Sequence, residues 1–336
     1  MYLLVHNWET TIMQAIQIES FGNPAEVMKV VDIPDVGAPG EGEVVIALEA
    51  SPINMSDLLM ISGRYGYRPK LPSVMGTEGV GRVIAVGGGV KHLKQGDRTL
   101  VPFPAPAWAE RIKADASRLR PLPGGDVNQL AMLGINPPTA YLMLTGFVTL
   151  PSGSWVIQNS ANSGVGRALI PIAKSLGLKT VNVVRREDVV AEIKALGGDV
   201  VLVDGLDLDK RVAAETGKAP VALAVDGVGD TATTNLLGCL AEQGVHVFYS
   251  MISGKPSVVP ATHLIFRNIS MRGFWLVNWF NTATPDEITR MYDRLTPLVA
   301  SGAISAPIAG TYRFSEIAEA VAVASKNRGK VLFTVG

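Results

Sequence analysis

Apolar and polar positions fall into two regimes along the chain. Between Met13 and about Pro123 the apolar residues come in short alternating runs, the period of half-buried strands, over residues 13–18, 27–33, 43–50, 79–86 and 98–102. Glycine and proline cluster between them at 36–42 and 87–89, a spacing that predicts a compact, barrel-like β-domain. Residues 128–143 read as helical with a break at Pro137-Pro138. From Trp155 the pattern changes. Short, wholly apolar, β-branched runs at 155–158, 179–184, 200–203, 221–225, 246–249 and 269–274 alternate with helical spacing. The clearest helix carries Val165, Leu169, Ile172, Ala173 and Leu176, and others fall at 188–196 and 231–242. Such alternation predicts a parallel, doubly wound sheet.

Two more helices, at 285–301 and 315–326, and a strand at 330–335 close the chain. The expected fold class is α/β. A β-rich domain covers 13–140, a nucleotide-type domain 141–279, and residues 280–336 return to the first. Residues 1–12 fit no targeting pattern. Met13 reads as the functional start, with 1–12 either a poorly ordered extension or a short segment docked on the surface.

The chemistry gathers at the first strand, turn and helix of the second domain, Trp155-Val-Ile-Gln-Asn-Ser-Ala-Asn-Ser-Gly-Val-Gly166. A turn of small residues lets the chain approach a pyrophosphate, and N–H groups at the helix start hydrogen-bond it. The match to G-x-G-x-x-G is partial. Ala161 and Ser163 take the first two glycine positions, and Gly166 keeps the third, where helix and strand pack closely. The Ser163 hydroxyl is a candidate partner for a phosphate oxygen. Pro171 removes a hydrogen bond inside the predicted helix, at a cost of about 3 kcal/mol. The next strand ends in Arg185-Arg186, and Arg185 lies 19 residues after Gly166. A ribose 2′-OH calls for a carboxylate there, whereas a 2′-phosphate calls for arginine, so the expected cofactor is NADPH.

Composition narrows the partners. The chain is 47% hydrophobic, 18% charged and of zero net charge, which makes it globular. With no basic run interleaved with aromatics, a nucleic-acid partner is not expected. The single Cys239 excludes a disulfide framework and fits a reducing, cytoplasmic setting. No apolar run approaches the roughly 18 residues that span a membrane. His246, in an alternating run, reads as a structural histidine, and Asp226, in Ala-Val-Asp-Gly-Val-Gly, reads as a turn setter.

A β-domain ahead of a nucleotide domain is the order of the medium-chain dehydrogenase/reductase superfamily, and the chain resembles it from Met13 onward. Ala50-Ser-Pro-Ile-Asn-Met-Ser-Asp57 is similar to the segment holding a catalytic zinc cysteine in alcohol dehydrogenases, with Asn54 in the cysteine position. Gly76-Thr-Glu78 is similar to their Gly-His-Glu, with Thr77 in place of histidine. One cysteine and four scattered histidines do not supply a tetrahedral zinc site, so no metal is expected. Within the superfamily the chain most resembles the 2-enoyl thioester reductases of the mitochondrial type and their bacterial relatives. Four blocks carry this resemblance: Gln158 to Gly166, Gly134-Ile-Asn-Pro-Pro-Thr-Ala140, Asn182-Val-Val-Arg185, and Leu264-Ile-Phe266 with Arg272-Gly-Phe-Trp-Leu276.

The resemblance implies a GroES-like β-barrel catalytic domain plus a doubly wound Rossmann domain. It also implies NADPH contacts at Asn136, Asn162, Ser163, Gly164, Val165, Gly166, Arg185, Arg186, Glu187, Tyr249, Ser250, Met251, Ile252, Phe274, Trp275, Leu276 and Lys330. Ser250-Met251 departs from the paired glycines of that family, which bears on how closely the backbone there approaches the nicotinamide side.

The catalytic residue implied is Tyr65, in Gly63-Arg-Tyr-Gly-Tyr67, with Tyr67 its rival. Hydride delivered to the β-carbon of an enoyl thioester builds charge on the carbonyl oxygen, and a phenol can hydrogen-bond that oxygen or pass a proton on. Three readings follow: an NADPH-dependent enoyl thioester reductase acting on acyl carrier protein or coenzyme A esters, a zinc-free quinone or enone reductase, and a non-catalytic NADPH-binding protein. Arg64, Arg68 and Lys70 flank Tyr65, and either steer a phosphopantetheine arm or are solvated turn residues. An apolar edge strand at 269–274 implies a homodimer.

Overall fold

The computed structural model describes residues 12–103, 105–326 and 328–335, so the expected N-terminal extension lies, except for Ile12, outside the described residues. The chain divides into two units. The first holds the described residues up to Ile135, Val299–Gly302 and those from Ala306 on; the second holds Asn136–Leu298 and Ala303–Ser305.

In chain order the first unit builds β1 (Ile12–Ile18), α1 (Pro24–Val27), β2 (Met28–Pro34), β3 (Glu43–Ile53), α2 (Met55–Ile61), β4 (Ser73–Val74), β5 (Val80–Val86), β6 (Arg98–Leu100), β7 (Arg111–Asp115) and α3 (Val127–Leu130). β1 pairs antiparallel with β2 and β4, and β3 with β5 and β7. The second unit builds α4 (Asn136–Gly146), β8 (Trp155–Gln158), α5 (Gly164–Ser175), β9 (Lys179–Val184), α6 (Val190–Ala195), β10 (Val200–Val203), α7 (Leu208–Glu215), β11 (Val221–Asp226), α8 (Asp230–Cys239), β12 (Val245–Phe248), α9 (Ala261–Phe266), β13 (Ser270–Gly273), α10 (Leu276–Thr282) and α11 (Pro285–Ala300). The chain ends with β14 (Ile308–Tyr312), α12 (Ile317–Ala324) and β15 (Lys330–Thr334), and β15 pairs antiparallel with the end of β3.

The second unit's sheet runs β10-β9-β8-β11-β12-β13, every pair parallel. The order reverses between β8 and β11. In such sheets the crevice beyond the carboxyl ends of the strands at that reversal takes the ligand. Its inner strands are largely apolar because helices cover both faces, and Ile157, Val181, Leu223 and Ala224 are fully buried. The first unit packs around Trp108, whose ring meets Phe333 of β15 edge-on at 5.3 Å, so the last strand completes the first unit's core.

Several expectations shift. The return to the first unit falls near Ala306 rather than 280, because α10 and α11 as far as Leu298 stay with the second unit. A helical pattern locates a buried face, here Met291 and Leu295, but not the body that face meets. The break expected at Pro137-Pro138 falls just before it, and both prolines sit in the first turn of α4, where their missing N–H groups have no helical acceptor to lose. α5 continues through Pro171 to Ser175. Helices α2 and α7 and strands β7 and β14 were not legible as elements. Among the described residues no helix is long and apolar enough to cross a membrane.

Candidate active site

In the second unit the turn after β8 is held from below by a buried polar network. Gln158 Nε2 donates to Gly166 O (2.9 Å) and to Asn182 Oδ1 (2.8 Å), while Asn182 Nδ2 donates to Thr180 Oγ1 (2.9 Å) and Val200 O (3.1 Å). Gly166 is needed for its size. A Cβ there would stand 2.6 Å from Ser160 O and 2.7 Å from Ala161 Cα, closer than any side chain tolerates. Ser163 caps α5, its Oγ accepting from Gly166 N (3.1 Å), so the hydroxyl expected at a phosphate also shapes the helix start. The N–H groups of Gly164 and Val165 precede the first helical bond, Arg167 N to Ser163 O, at the positive end of a 12-residue helix.

Beside this turn a buried pair crosses the sheet. Asp226, at the end of β11, stands 3.2 Å from His246 Nε2 on β12, and neither side chain is exposed. Asp226 Oδ1 accepts from Asn159 Nδ2 (2.7 Å), Val228 N (2.8 Å) and Gly229 N (3.0 Å), and Oδ2 from Thr233 Oγ1 (2.7 Å). Burial alone would raise this carboxyl, but His246 and these donors hold it well below the usual range. Thus Asp226 does set a turn, and His246 is its structural partner. Asn159, whose Oδ1 accepts from Gly227 N (2.8 Å), completes the tie and was not singled out in the sequence.

Of the remaining expected cofactor positions, those at 185–187, 249–252 and 274–276 follow the carboxyl ends of β9, β12 and β13. Arg185 and Arg186 follow β9, both exposed, and Arg186 Nε pairs with Asp188 at 3.1 Å. Tyr249 follows β12, its hydroxyl 3.4 Å from Ser163 Oγ and its ring filling the space over Gly227. Burial pushes its phenol up to about 12, against the pull of Ser163. Ser250, Met251 and Ile252 continue this loop, and Met251 packs over Gly229, which has no side chain to obstruct it. Phe274 N donates to Phe248 O (2.7 Å), and its ring meets Phe147 edge-on at 6.0 Å. Trp275 caps α10, Leu276 is buried in it, and Asn136 opens α4.

The first unit carries the other candidates. Asn54 precedes α2, its N–H donating to Asp57 Oδ2 (2.8 Å) and its Nδ2 to Glu78 Oε1 (2.7 Å). Thr77 Oγ1 donates to Asp57 Oδ1 (2.7 Å), and Lys330 Nζ donates to Asn54 Oδ1. Burial pushes Asp57 up to about 6 and Glu78 to about 7, against the pull of Lys330 and these hydrogen bonds. Burial likewise lowers the Lys330 ammonium, which the two carboxylates hold up. Sequence reading missed this cluster as a unit, although Asn54-x-x-Asp57 has helix-capping spacing. Tyr65 lies half-buried on the turn after α2, while Tyr67 is 54% exposed.

These two units match known descriptions. "Alcohol dehydrogenase GroES-like domain" covers residues 40–149 and "Zinc-binding dehydrogenase" covers 164–296. The mitochondrial enoyl-[acyl-carrier-protein] reductase of Rattus norvegicus is 39% identical over 307 residues, 89% of this chain and 82% of that one. The chain belongs to this reductase family, within the medium-chain dehydrogenase/reductase superfamily. Among solved structures, the Candida tropicalis 2-enoyl thioester reductase Etr1p, in complex with NADP and crotonyl-CoA, matches with TM-score 0.87 at 25% identity, covering 97% of this chain and 100% of that one. A mycobacterial quinone oxidoreductase matches with TM-score 0.83 at 28% identity, over 96% of this chain and 100% of that one. The first unit is thus the GroES-like domain and the second the Rossmann-type domain.

A family described as zinc-binding raises the question of a metal at Asn54 and Thr77. The residues do not fit one. Both polar atoms of the Asn54 amide are engaged, the Thr77 hydroxyl donates to Asp57, and an ammonium group lies against the Asn54 oxygen. Zinc takes at least three thiolate, imidazole or carboxylate ligands; among the described residues the cluster has only the Asp57 and Glu78 carboxylates, and a neighbouring ammonium repels the ion.

Proposed function

We propose that the chain is an NADPH-dependent oxidoreductase that reduces the C2–C3 double bond of trans-2-enoyl thioesters, with Tyr65 as proton donor. The observation that carries this reading is a tyrosine at position 65, half-buried on the turn closing α2, in a chain of the enoyl reductase family. NADPH, when bound, supplies the hydride for the β-carbon. The residues proposed to hold it are Asn136, the turn 162–166, 185–187, 249–252 and 274–276. Backbone N–H groups at the start of α5 take the pyrophosphate, and Arg185 takes the 2′-phosphate by charge-assisted bonds. Tyr65 donates a hydrogen bond to the thioester carbonyl oxygen as enolate charge builds, an interaction that strengthens toward the transition state. The α-carbon then receives its proton through the same phenol. Lys330 of the first unit, engaged with Asn54, is proposed as a further cofactor contact.

Likeness to a quinone oxidoreductase supports a second reading, in which the same scaffold reduces quinones or enones. Purified protein with NADPH and crotonyl-CoA, a longer enoyl-CoA or a naphthoquinone separates the two. Turnover on the enoyl thioesters exceeding that on the quinone supports the first reading; the opposite order supports the second.

A homodimer forms part of the proposal. β13 is the outer strand of its sheet, and the helix before it, α9, leaves Leu264, Ile265 and Phe266 at 36%, 68% and 77% exposure. An open edge beside such a patch is a surface for pairing with a second copy. A reducing, cytoplasmic location is proposed from the single cysteine.

A further inference from the structure

The turn that carries Tyr65 is fastened at its start and bridged across by one side chain. α2 ends with Gly63 N donating to Met60 O (3.0 Å) and Arg64 N to Leu59 O (2.9 Å), the paired bonds of a Schellman cap. Gly63 takes φ +70°, and a Cβ there would stand 3.2 Å from Phe21 Cβ, so glycine suits both the backbone and the space. Gly22 N donates to Ile61 O (3.1 Å), which seats the Phe21 segment against the helix end. Across the turn, Arg68 Nε donates to Gly63 O (3.0 Å), and its guanidinium carbon lies 5.8 Å from the Phe21 ring centroid, within cation–π reach. That bond closes a loop from Gly63 to Arg68 with Tyr65 inside it.

We infer that Arg68 is a positioning residue: by bridging to Gly63 O and lying over Phe21, it fixes the loop backbone that presents the Tyr65 hydroxyl to the thioester carbonyl. The inference rests on the assignment of Tyr65 as proton donor. It competes with the two roles the sequence left open for Arg68, a steering charge and a solvated turn residue, because the Nε–H bonds the loop itself. Gly66, beside Tyr65, gives the backbone freedom that a cross-loop bond offsets. A reacting group displaced by about 1 Å can cost roughly 10²-fold in rate, so a contact remote from the substrate can still govern turnover.

Three variants separate position from charge. Counted along the side chain, Gln Nε2 falls at the same atom as Arg Nε, so Arg68→Gln keeps the donor and loses the charge. Arg68→Lys keeps the charge but puts a methylene where Nε stood, and Arg68→Met has neither. With NADPH and crotonyl-CoA, kcat should fall roughly 10-fold in the Lys and Met variants and stay within about twofold in the Gln variant. KM for NADPH should hold in all three. In a Tyr65→Phe background, Arg68→Met should lower kcat no further, because the contact acts through the phenol.

Wild-type kcat in Arg68→Lys, with a salt-dependent rise in KM for crotonyl-CoA in Arg68→Gln, would identify a steering charge and overturn the inference. A full further loss in the Phe background overturns it too. Slow Tyr65→Phe beside wild-type Arg68→Met removes the Arg68 role alone, whereas wild-type turnover in Tyr65→Phe removes the Tyr65 assignment and this inference with it.

Discussion

Lys330 Nζ donates to Asn54 Oδ1, joining the last strand to the residue that opens α2. By its sequence resemblance Asn54 takes the place of a zinc cysteine of alcohol dehydrogenases, and the positive charge beside it is covalently part of the chain. Lys330 pulls the Glu78 and Asp57 carboxyls toward their charged forms, so the cluster carries a cation of its own. Activity should survive dialysis against a strong chelator, and elemental analysis of active protein should find no stoichiometric zinc. Loss of turnover on chelation, restored by zinc, would contradict this.

The same cluster sets a pH dependence. Glu78 is raised from 4.5 to about 7, so the folded chain keeps a proton that the unfolded chain releases. Its contribution to stability is whole below about pH 4.5 and is lost as pH rises through about 7. Glu78→Gln removes this loss. Relative to wild type, its Tm should rise by a few degrees between pH 5 and pH 8. A constant Tm difference across that range would show that Glu78 titrates normally.

Cofactor choice should depend on Arg185 more than on Arg186, whose guanidinium is paired with Asp188. Arg185→Ala should raise KM for NADPH by about 10-fold or more, the size of a lost charge-assisted bond, with little effect on KM for NADH. Arg186→Ala should give a smaller rise. A wild-type enzyme that uses NADH as well as NADPH would refute the assignment.

Much of this was legible because buried parallel strands announce themselves as unbroken apolar runs. β8, β9 and β10 begin and end where the pattern places them. The turn from β8 into α5 was legible too, with Gly166 at the close approach of helix and turn. What stayed hidden depends on contacts far apart in sequence. Asn54, Glu78 and Lys330 span 276 residues, and no local pattern joins them. α2 has seven residues and begins beneath a capping side chain, too short for helical periodicity to emerge from a β-rich stretch. The exposed Ile265 and Phe266 were read only as part of a motif, because sequence shows that a residue is apolar but not that it faces outward.

That outward-facing patch makes assembly testable. Light scattering at micromolar concentration should give twice the mass of the 35.6 kDa chain. Ile265→Glu with Phe266→Glu should shift it toward monomer by placing like charges in the interface. A wild-type monomer would remove the dimer from the proposal.

The central claim is that Tyr65 supplies the proton in enoyl thioester reduction, and Tyr65→Phe tests it most directly. The substitution keeps the ring and deletes the donor. With NADPH and crotonyl-CoA, kcat should fall by roughly 10²- to 10⁴-fold, the range of a lost acid–base group, while NADPH binding stays nearly unchanged. Quinone reduction, if present, should suffer far less, because it needs no α-carbon protonation. Wild-type turnover of crotonyl-CoA by the Phe variant would contradict the account and turn attention to Tyr67 or a bound water.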